Sequence, residues 1–430
     1  MPARSSSFAV VLAFVCISMF SANSFASGPV EQVLYDFPYG TAPSSGLISD
    51  SAGNLYGTTR YGGNGYGTVF ELSPPTTSGG AWTETVLYAF NPFNIIDGAY
   101  PFSTLIFDKA GNLYGTTSVS SHGYGTVFEL SPPTTAGGAW TRKLLMDVPV
   151  DGSKGTNLQG NLIFDSAGNL YGTTLSGGAG TTCGARKGFG CGTVFELKPP
   201  TKAGAGWTET ILHSFAVAAG DGFTPGTALI IRDGILYGTT EKGGANGDGT
   251  VFQLARQSGS WVETILHNFT GTDGATPVGR LIADSSGNFY GTTYDGANAG
   301  GSGAQGCGTV YELSPPAISG GAWQETTLYS FTGSKDGSNP YVGVIRDNVG
   351  DLYGVTTYGG FKNNGVVYKL LAPAEAGGAW SQVTLHVFDA VTHDGAGPAG
   401  DLILLDGKGL FGTTYGGGTA PGGTVFNITF

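Results

Sequence analysis

The chain has 430 residues, of which only 12% are charged, whereas 40% are hydrophobic and 12% are aromatic. This much apolar material is enough for a folded core, which excludes a disordered low-complexity chain in spite of 76 glycines and 21 prolines. The formal net charge of −12 argues against nucleic acid and anionic membrane surfaces as partners, because both attract basic patches.

The first residues have the features of a secretory signal peptide. Arg4 is followed by an apolar run over residues 8–20 that is too short to span a bilayer, and small residues surround Ala26. We expect cleavage near Ala26, which removes residues 1–26 and leaves a secreted protein, extracellular or periplasmic, of residues 27–430. No later stretch is long and apolar enough for a membrane span, so we expect no membrane insertion.

One phrase, L-Y-G-T-T or a close variant, occurs seven times, and its glycines are 53 to 66 residues apart. The copies are Leu55–Thr59, Leu113–Thr117, Leu170–Thr174, Leu236–Thr240, Phe289–Thr293, Leu352–Thr357 (with one Val inserted) and Leu410–Thr414. Each full unit contains four short segments rich in Val, Ile, Thr, Tyr and Phe and bounded by Gly, Pro, Asn or Asp, which predicts four strands. Seven such units predict an all-β fold, a seven-bladed β-propeller with four-stranded blades in one domain.

The two ends of the chain predict how the ring closes. Glu31–Phe37 matches only the fourth strand of the unit, and Gly423–Phe430 matches only the third. The N-terminal strand therefore completes the last blade, which leaves no open sheet edge and favours a monomer. In chain order the predicted blades cover about residues 46–90, 103–148, 160–215, 226–269, 279–331, 342–388, and 400–430 together with 31–37.

The combined pattern L-Y-G-T-T, G-G, G-T-V-F-E-L and W-x-E-T-x-L-Y-x-F resembles the GloVer-type tandem repeats of secreted bacterial proteins. The resemblance covers essentially all of residues 31–430. It implies a propeller, and it implies neither a particular activity nor any catalytic residue.

Large side chains recur at fixed positions of the fourth strand. All six Trp residues begin it, either as packing groups between blades, which we favour, or as platforms for sugars. His213, His267 and His386 stand where other copies have Tyr. We interpret them as replacements for Tyr and predict no metal site there, because no Cys or carboxylate cluster accompanies them in the sequence.

Aspartates recur at two positions of the unit. Asp50, Asp108, Asp165, Asp284 and Asp347 stand in the turn between the first two strands, where a carboxylate accepts backbone hydrogen bonds. A second set precedes Gly in the loop between blades, on the face that also carries the Gly-Gly loops (the top face): Asp97, Asp151, Asp221, Asp273, Asp336 and Asp394. These six acids either form turns or ring the central channel, where they bind a ligand or Ca²⁺; no other cofactor is predicted.

Differences between copies point to the same face. Two Gly-Gly loops are enlarged, at residues 175–190 and 294–306, and insertions in repeat proteins commonly fall on the binding face. The predicted ligand-binding residues there are Arg186, Tyr294, Tyr358 and Tyr415. Cys183 and Cys191 lie in one loop and are predicted to form a disulfide in an oxidising compartment.

No catalytic motif breaks the even repetition, which favours a binding protein over an enzyme. We expect a secreted, non-enzymatic binding or scaffold protein that engages a polysaccharide or a cell-surface protein through its top face. The alternative is a secreted carbohydrate-active enzyme, a hydrolase or lyase, that uses two top-face acids among Asp221, Asp273 and Asp336.

Overall fold

The computed structural model describes most of the chain after residue 27, so the predicted signal peptide lies outside the described residues. The described ranges are 28–77, 79–91, 97–120, 123–135, 137–149, 151–179, 182–183, 186–187, 190–202, 204–216, 220–297, 306–318, 320–375, 377–390 and 393–430. They form strands, turns and loops, and no helix among them is long and apolar enough to cross a membrane.

Seven antiparallel sheets form the seven blades of a β-propeller, as predicted, and each blade runs from strand A, at the central channel, to strand D, at the outside. Strands A are Ile48–Ser49, Ile106–Phe107, Ile163–Phe164, Ile230–Arg232, Ile282–Ala283, Ile345–Arg346 and Ile403–Leu405. Strands B are Leu55–Thr59, Leu113–Val119, Leu170–Thr174, Ile235–Thr240, Phe289–Thr293, Leu352–Thr356 and Gly409–Gly417. Strands C are Thr68–Ser73, Gly123–Ser131, Thr193–Lys198, Thr250–Gln257, Thr309–Ser314, Val366–Leu371 and Thr424–Thr429. Strands D are Thr83–Ala89, Thr141–Pro149, Thr208–Ser214, Ser260–Asn268, Gln324–Ser330, Ser381–Val387 and Val30–Asp36.

Short strands on the loops add to this pattern. Ala99–Pro101 and Gly395–Pro398 each pair with a strand B. Two small antiparallel pairs join Thr182–Cys183 with Arg186–Lys187, and Gly222–Phe223 with Lys242–Gly243.

The ring closes through the N-terminal strand, as the chain ends predict. Val30–Asp36 pairs antiparallel with Thr424–Thr429, with Val30 opposite Thr429 and Asp36 opposite Thr424. The last blade thereby gains its strand D from the start of the chain. No blade is left with an unpaired strand C, which protects the ring from edge-to-edge association.

The repeated motif is explained by contacts inside one blade. A Cβ added to Gly57 of L-Y-G-T-T would lie 2.7 Å from Cζ of Phe70 in the facing G-T-V-F-E-L strand, so the glycine makes room for the buried ring. The second Thr of the motif, Thr59, pairs its hydroxyl with that of Thr68 at 2.7 Å. The interpretation of a Val insertion in blade 6 is wrong, because Leu352–Thr356 fills one five-residue strand with Val355 in place of the first Thr.

The hydrophobic core lies between neighbouring blades. One cluster joins Tyr56, Val69 and Phe90 of blade 1 to Leu105 and Phe128 of blade 2, and similar clusters follow around the ring. The Trp residues contribute to these junctions, as favoured above: Trp82 of blade 1 packs edge-on against Phe411 of blade 7 at 6.5 Å between centroids. Blade-to-blade packing of apolar and aromatic side chains therefore stabilises the ring.

Candidate functional site

The central channel has three parts along its length. A wide mouth on the top face, with a volume of about 450 Å³, is lined by residues from the loops of blades 1, 2, 5, 6 and 7. A narrow waist follows, and Ser44, Phe102 and Tyr341 line both the mouth and the waist. Below the waist, a second cavity of about 450 Å³ is surrounded mainly by apolar side chains of the A strands.

Aromatic side chains from blades 2, 5, 6 and 7 meet at the mouth. Tyr294, Tyr358 and Tyr415, each singled out in the sequence, all line it, together with Phe102 and Tyr341. Tyr358 and Tyr415 are 44% and 45% exposed, so their rings are open to a ligand. Tyr294 packs edge-on against Tyr341, with 6.0 Å between ring centroids, which holds both rings in place. The mouth is therefore a preformed aromatic surface.

Polar groups stand beside these rings. The guanidinium of Arg60 lies 5.8 Å from the centroid of Phe102, an arrangement typical of a cation–π contact. Asn363 and Asn364 of blade 6 also line the mouth, and they offer both hydrogen-bond donors and acceptors. A mixture of apolar faces and a few polar groups is typical of ligand-binding pockets.

The waist is narrowed by hydrogen bonds and an ion pair that cross between blades. The backbone N–H of Thr104 donates to Oδ1 of Asn161 at 2.7 Å, and the backbone N–H of Gly46 donates to the hydroxyl of Thr104 at 3.1 Å. Nε of Arg280 lies 3.4 Å from Oδ2 of Asp401. Residues of blades 1, 2, 3, 5 and 7 therefore meet at one level of the channel.

Glu241 also lines the waist, and sequence reasoning missed it. Burial raises its pKa to about 7, although the nearby Lys242 opposes this shift. The residue follows the L-Y-G-T-T phrase of blade 4, where the other copies carry Arg, Ser, Leu, Tyr or Thr. A comparison of that single repeat position would have identified it as the one acid.

The six acids of the Asp-Gly loops lie outside the three channel cavities, and their role in binding a ligand or Ca²⁺ stays a prediction. None of them is among the residues that line the mouth, the waist or the lower cavity. Asp97 is only 2% exposed and accepts hydrogen bonds from the Tyr88 hydroxyl and the backbone N–H of Asn91. Asp336 is bound in the same way by Tyr329, at 3.0 Å, and by the backbone of Thr332. These acids lie near the outer strands, where two blades meet, because residues at the end of strand D donate hydrogen bonds to their carboxylates.

Three of the four remaining acids of this set also contact residues at or just after the end of the preceding strand D. Asp273 and Asp394 contact His267 and His386, at 3.0 Å and 3.1 Å between ring nitrogen and carboxylate oxygen. Asp221 accepts the backbone N–H of Ala216 at 2.9 Å. The exception is Asp151, which is exposed and bonds only locally, to Ser153.

Carboxylates accompany all three histidines of strand D, contrary to our expectation. Across each junction a Glu of the next blade joins the His and the Asp, and the ligand atoms of each trio lie within 4.8 Å of one another. The trios are His213, Asp221 and Glu263; His267, Asp273 and Glu325; and His386, Asp394 and Glu31. The glutamates escaped notice because each lies in a different blade from its His.

The protonation of these trios reflects their burial. Burial lowers the pKa of His213, although Asp221 opposes the shift. Burial raises the pKa of Glu263, and the neighbouring Asp221 carboxylate raises it further. Glu31 has its pKa raised to about 7, again mainly by burial, with His386 acting against it.

The turn acids behave as predicted. Asp165 accepts the backbone N–H groups of Ala167 and Asn169, both at 2.9 Å, and its second oxygen accepts the hydroxyl of Tyr171 at 3.1 Å. Equivalent contacts surround Asp50. These residues are explained by the turn that they stabilise.

The enlarged loop of blade 3 is only partly described. The structure joins Cys183 and Cys191 by a disulfide, as predicted. The backbone of Arg186 pairs with Cys183 in a short hairpin, and its side chain lies outside the described part of the structure. The role of Arg186 in ligand binding therefore stays a prediction.

The sequence matches the model of the Gloeobacter/Verrucomicrobia repeat over residues 25–229, 142–304 and 299–430, which together span the seven blades. The chain belongs to this family. The resemblance noted from the repeated motifs is thereby confirmed. No curated protein matches the chain.

Solved structures show only distant likeness to this member of the repeat family. A protein of unknown function from Dyadobacter fermentans has 12% identity and a TM-score of 0.45, and the match covers 94% of this chain and all of that one. A Thermus thermophilus protein described as a putative oxidoreductase (glucose dehydrogenase) has 14% identity, a TM-score of 0.46 and the same coverage. The extracellular domain of a B. thetaiotaomicron protein described as a hybrid two-component system has 11% identity and a TM-score of 0.48, over 92% of this chain and 39% of that one. At these values none of them carries an argument about function.

Proposed function

We propose that this protein is a secreted, non-enzymatic binding protein that engages a polysaccharide at the aromatic mouth of its channel. The observation that carries the proposal is the convergence of Tyr294, Tyr358 and Tyr415, from blades 5, 6 and 7, on one cavity of about 450 Å³. Aromatic faces stack on the C–H-rich faces of sugars, and the adjacent amides suit sugar hydroxyls.

The charge of the protein favours a neutral polysaccharide. A formal net charge of −12 repels strongly anionic chains at a distance. The disulfide between Cys183 and Cys191 supports an oxidising compartment outside the cytoplasm, in keeping with the predicted signal peptide.

A thermal-shift screen against neutral and anionic polysaccharides tests this proposal. We expect one neutral class to raise the Tm, because a ligand that binds only the folded state stabilises it. The Tyr358→Ala/Tyr415→Ala variant should lose this shift. Tyr39→Ala is the matched control, since Tyr39 is 84% exposed and does not line the mouth. If no polysaccharide shifts the Tm, the proposal is wrong and a cell-surface protein becomes the next candidate partner.

One observation favours the alternative of a carbohydrate-active enzyme. The acids of its active site would then be residues of the waist and not the Asp-Gly acids. Glu241 lines the waist directly below the mouth, and a carboxylic acid with a raised pKa can serve as a general acid in glycoside cleavage. Asp401 in the same waist is the available second carboxylate. Release of reducing ends from a bound polysaccharide, abolished in Glu241→Gln, would establish hydrolysis; binding without release would exclude it for that polysaccharide.

A further inference from the structure

We infer that His213, Asp221 and Glu263 bind a divalent transition-metal ion of the Zn²⁺ class at the junction of blades 3 and 4. The two other trios, at the junctions of blades 4 and 5 and of blades 6 and 7, bind the same kind of ion. This inference is independent of polysaccharide binding, because none of the nine residues lines the channel.

The geometry supplies three ligands from two blades. His213 and Asp221 come from the end of blade 3 and its following loop, and Glu263 comes from strand D of blade 4. Nε2 of His213 lies 3.5 Å from Oε2 of Glu263, and one potential ligand atom from each of the three residues lies within 4.8 Å of the others. Imidazole nitrogen and carboxylate oxygen are both ligands of Zn²⁺ in proteins, and three protein ligands leave the fourth position open for water.

Unsatisfied atoms mark this trio as incomplete without a ligand. Nε2 of His213, Oδ1 of Asp221 and Oε1 of Glu263 are all buried, and their only polar neighbours among the described residues are the other members of the trio. A buried polar atom without a partner is costly, so three in one cluster are unusual. A bound cation would satisfy all three together.

The other junctions provide an internal comparison, because each has positions equivalent to those of His213, Asp221 and Glu263. The position of Glu263, in strand D of the next blade, is the third position. In the three junctions that have His, the third position is always Glu. In the two junctions that combine Tyr with Asp, the third position is not acidic: Tyr88 and Asp97 meet Arg142, and Tyr329 and Asp336 meet Gln382. Tyr35 meets Glu84 in a junction that has no Asp-Gly acid. A Glu at the third position, together with an Asp-Gly acid, therefore occurs at the three junctions with His and at the junction of blades 2 and 3. At that last junction, Lys154 contacts Glu209 at 2.8 Å.

This co-occurrence is what a cation site requires. Two adjacent carboxylates repel each other unless one of them is protonated or a positive charge lies between them. Imidazole nitrogen selects Zn²⁺ and its neighbours over Ca²⁺, which prefers six or more oxygen ligands. The ion would link the outer strands of two blades, and would thereby stabilise the ring.

The test measures Zn²⁺ bound by the purified protein after treatment with EDTA, by equilibrium dialysis and elemental analysis. We expect three Zn²⁺ ions per chain, a Tm that rises with Zn²⁺, and no comparable rise with Ca²⁺. His213→Tyr/Glu263→Gln recreates the Tyr329, Asp336 and Gln382 junction, so it should fold, and it should bind two ions instead of three. His267→Tyr/Glu325→Gln should likewise remove one ion.

Glu84→Gln is the control, since this Glu occupies the same strand position at a junction without His. It should leave the number of bound ions unchanged. The inference is overturned if the wild-type protein binds no Zn²⁺, or if the number of bound ions does not fall in either double variant; the second outcome would assign the ions to surface carboxylates. It is also overturned if Glu84→Gln removes an ion as the double variants do.

Discussion

At the scale of single residues, the two sets of aspartates show how position decides the role of one side chain. Asp165 lies between two strands of its own blade, and its four hydrogen-bond donors all come from residues 167–171. Asp221 lies between two blades, and its neighbours include Glu263. The first environment is local in sequence, whereas the second exists only in the closed ring.

The turn acids should make the protein sensitive to acid. Burial favours the neutral form of Asp165, but the hydrogen bonds from Asn169, Tyr171 and Ala167 outweigh it and lower the pKa. Because the pKa is lower in the folded state, the stabilisation is present above the ordinary Asp pKa and is lost as the pH falls through the folded-state value. We expect Asp165→Asn to destabilise the protein by about 1–2 kcal/mol at pH 7, and by progressively less below about pH 4.

Urea unfolding of both proteins between pH 3 and pH 7 checks this prediction. Asp233→Asn is the control, because the Asp233 side chain is 90% exposed in the corresponding turn of blade 4. A constant difference between Asp165→Asn and the wild type at all pH values would contradict the account.

The residue scale also shows what the sequence could predict about the site. The role of Asp165 was predictable, because its partners lie within six residues. The trio around His213 was not, because Glu263 is fifty positions away and its relevance depends on how two blades meet. An alignment of the seven copies would have shown that the copy after each His carries Glu at the strand D position of Glu263, although Glu84 and Glu209 occupy that position without a His.

At the scale of the blade, the glycine of L-Y-G-T-T lets two strands pack against a buried Phe. A Cβ on Gly115 would lie 2.7 Å from Cζ of Phe128 and 2.9 Å from Cδ2 of Leu105, and both side chains are fully buried. Gly115→Ala should therefore destabilise the protein by about 1–3 kcal/mol through overpacking. Calorimetry should show a lower Tm than the wild type.

Gly206→Ala is the matched control for this substitution. No atom lies within 4 Å of a Cβ at Gly206, and its backbone is not in the left-handed region, so the Tm should change little. Equal effects of the two substitutions would contradict the packing explanation of the motif.

At the scale of the whole molecule, the ring depends on one strand from the opposite end of the chain. Removal of residues 1–36 would leave Thr424–Thr429 as an exposed edge, and it would take Leu34 and Tyr35 from the hydrophobic cluster that contains Val425. We expect the shortened protein to aggregate and to lose its cooperative unfolding transition. Removal of residues 1–27 is the control, and it should leave a stable monomer by size-exclusion chromatography.

The propeller and its closure were predictable from the sequence, whereas the polar contacts across the channel were not. Seven copies of four strands, with an odd strand at each end, were enough to predict the propeller and its closure. The contents of the channel were not predictable, because Arg280, Asp401 and Asn161 come from three blades and meet only once the ring has formed. The tyrosines of the mouth are predictable from the sequence, because they stand in top-face loops and the order of the strands identifies that face.

The crystal structure of the protein with an oligosaccharide of the polysaccharide class that most raises its Tm is the most direct test of the proposed site. The account predicts a sugar ring stacked on Tyr358 or Tyr415 at the mouth of the channel, with hydroxyls within hydrogen-bond distance of Asn363, Asn364 or Arg60. A sugar bound elsewhere, with the mouth empty, would contradict it.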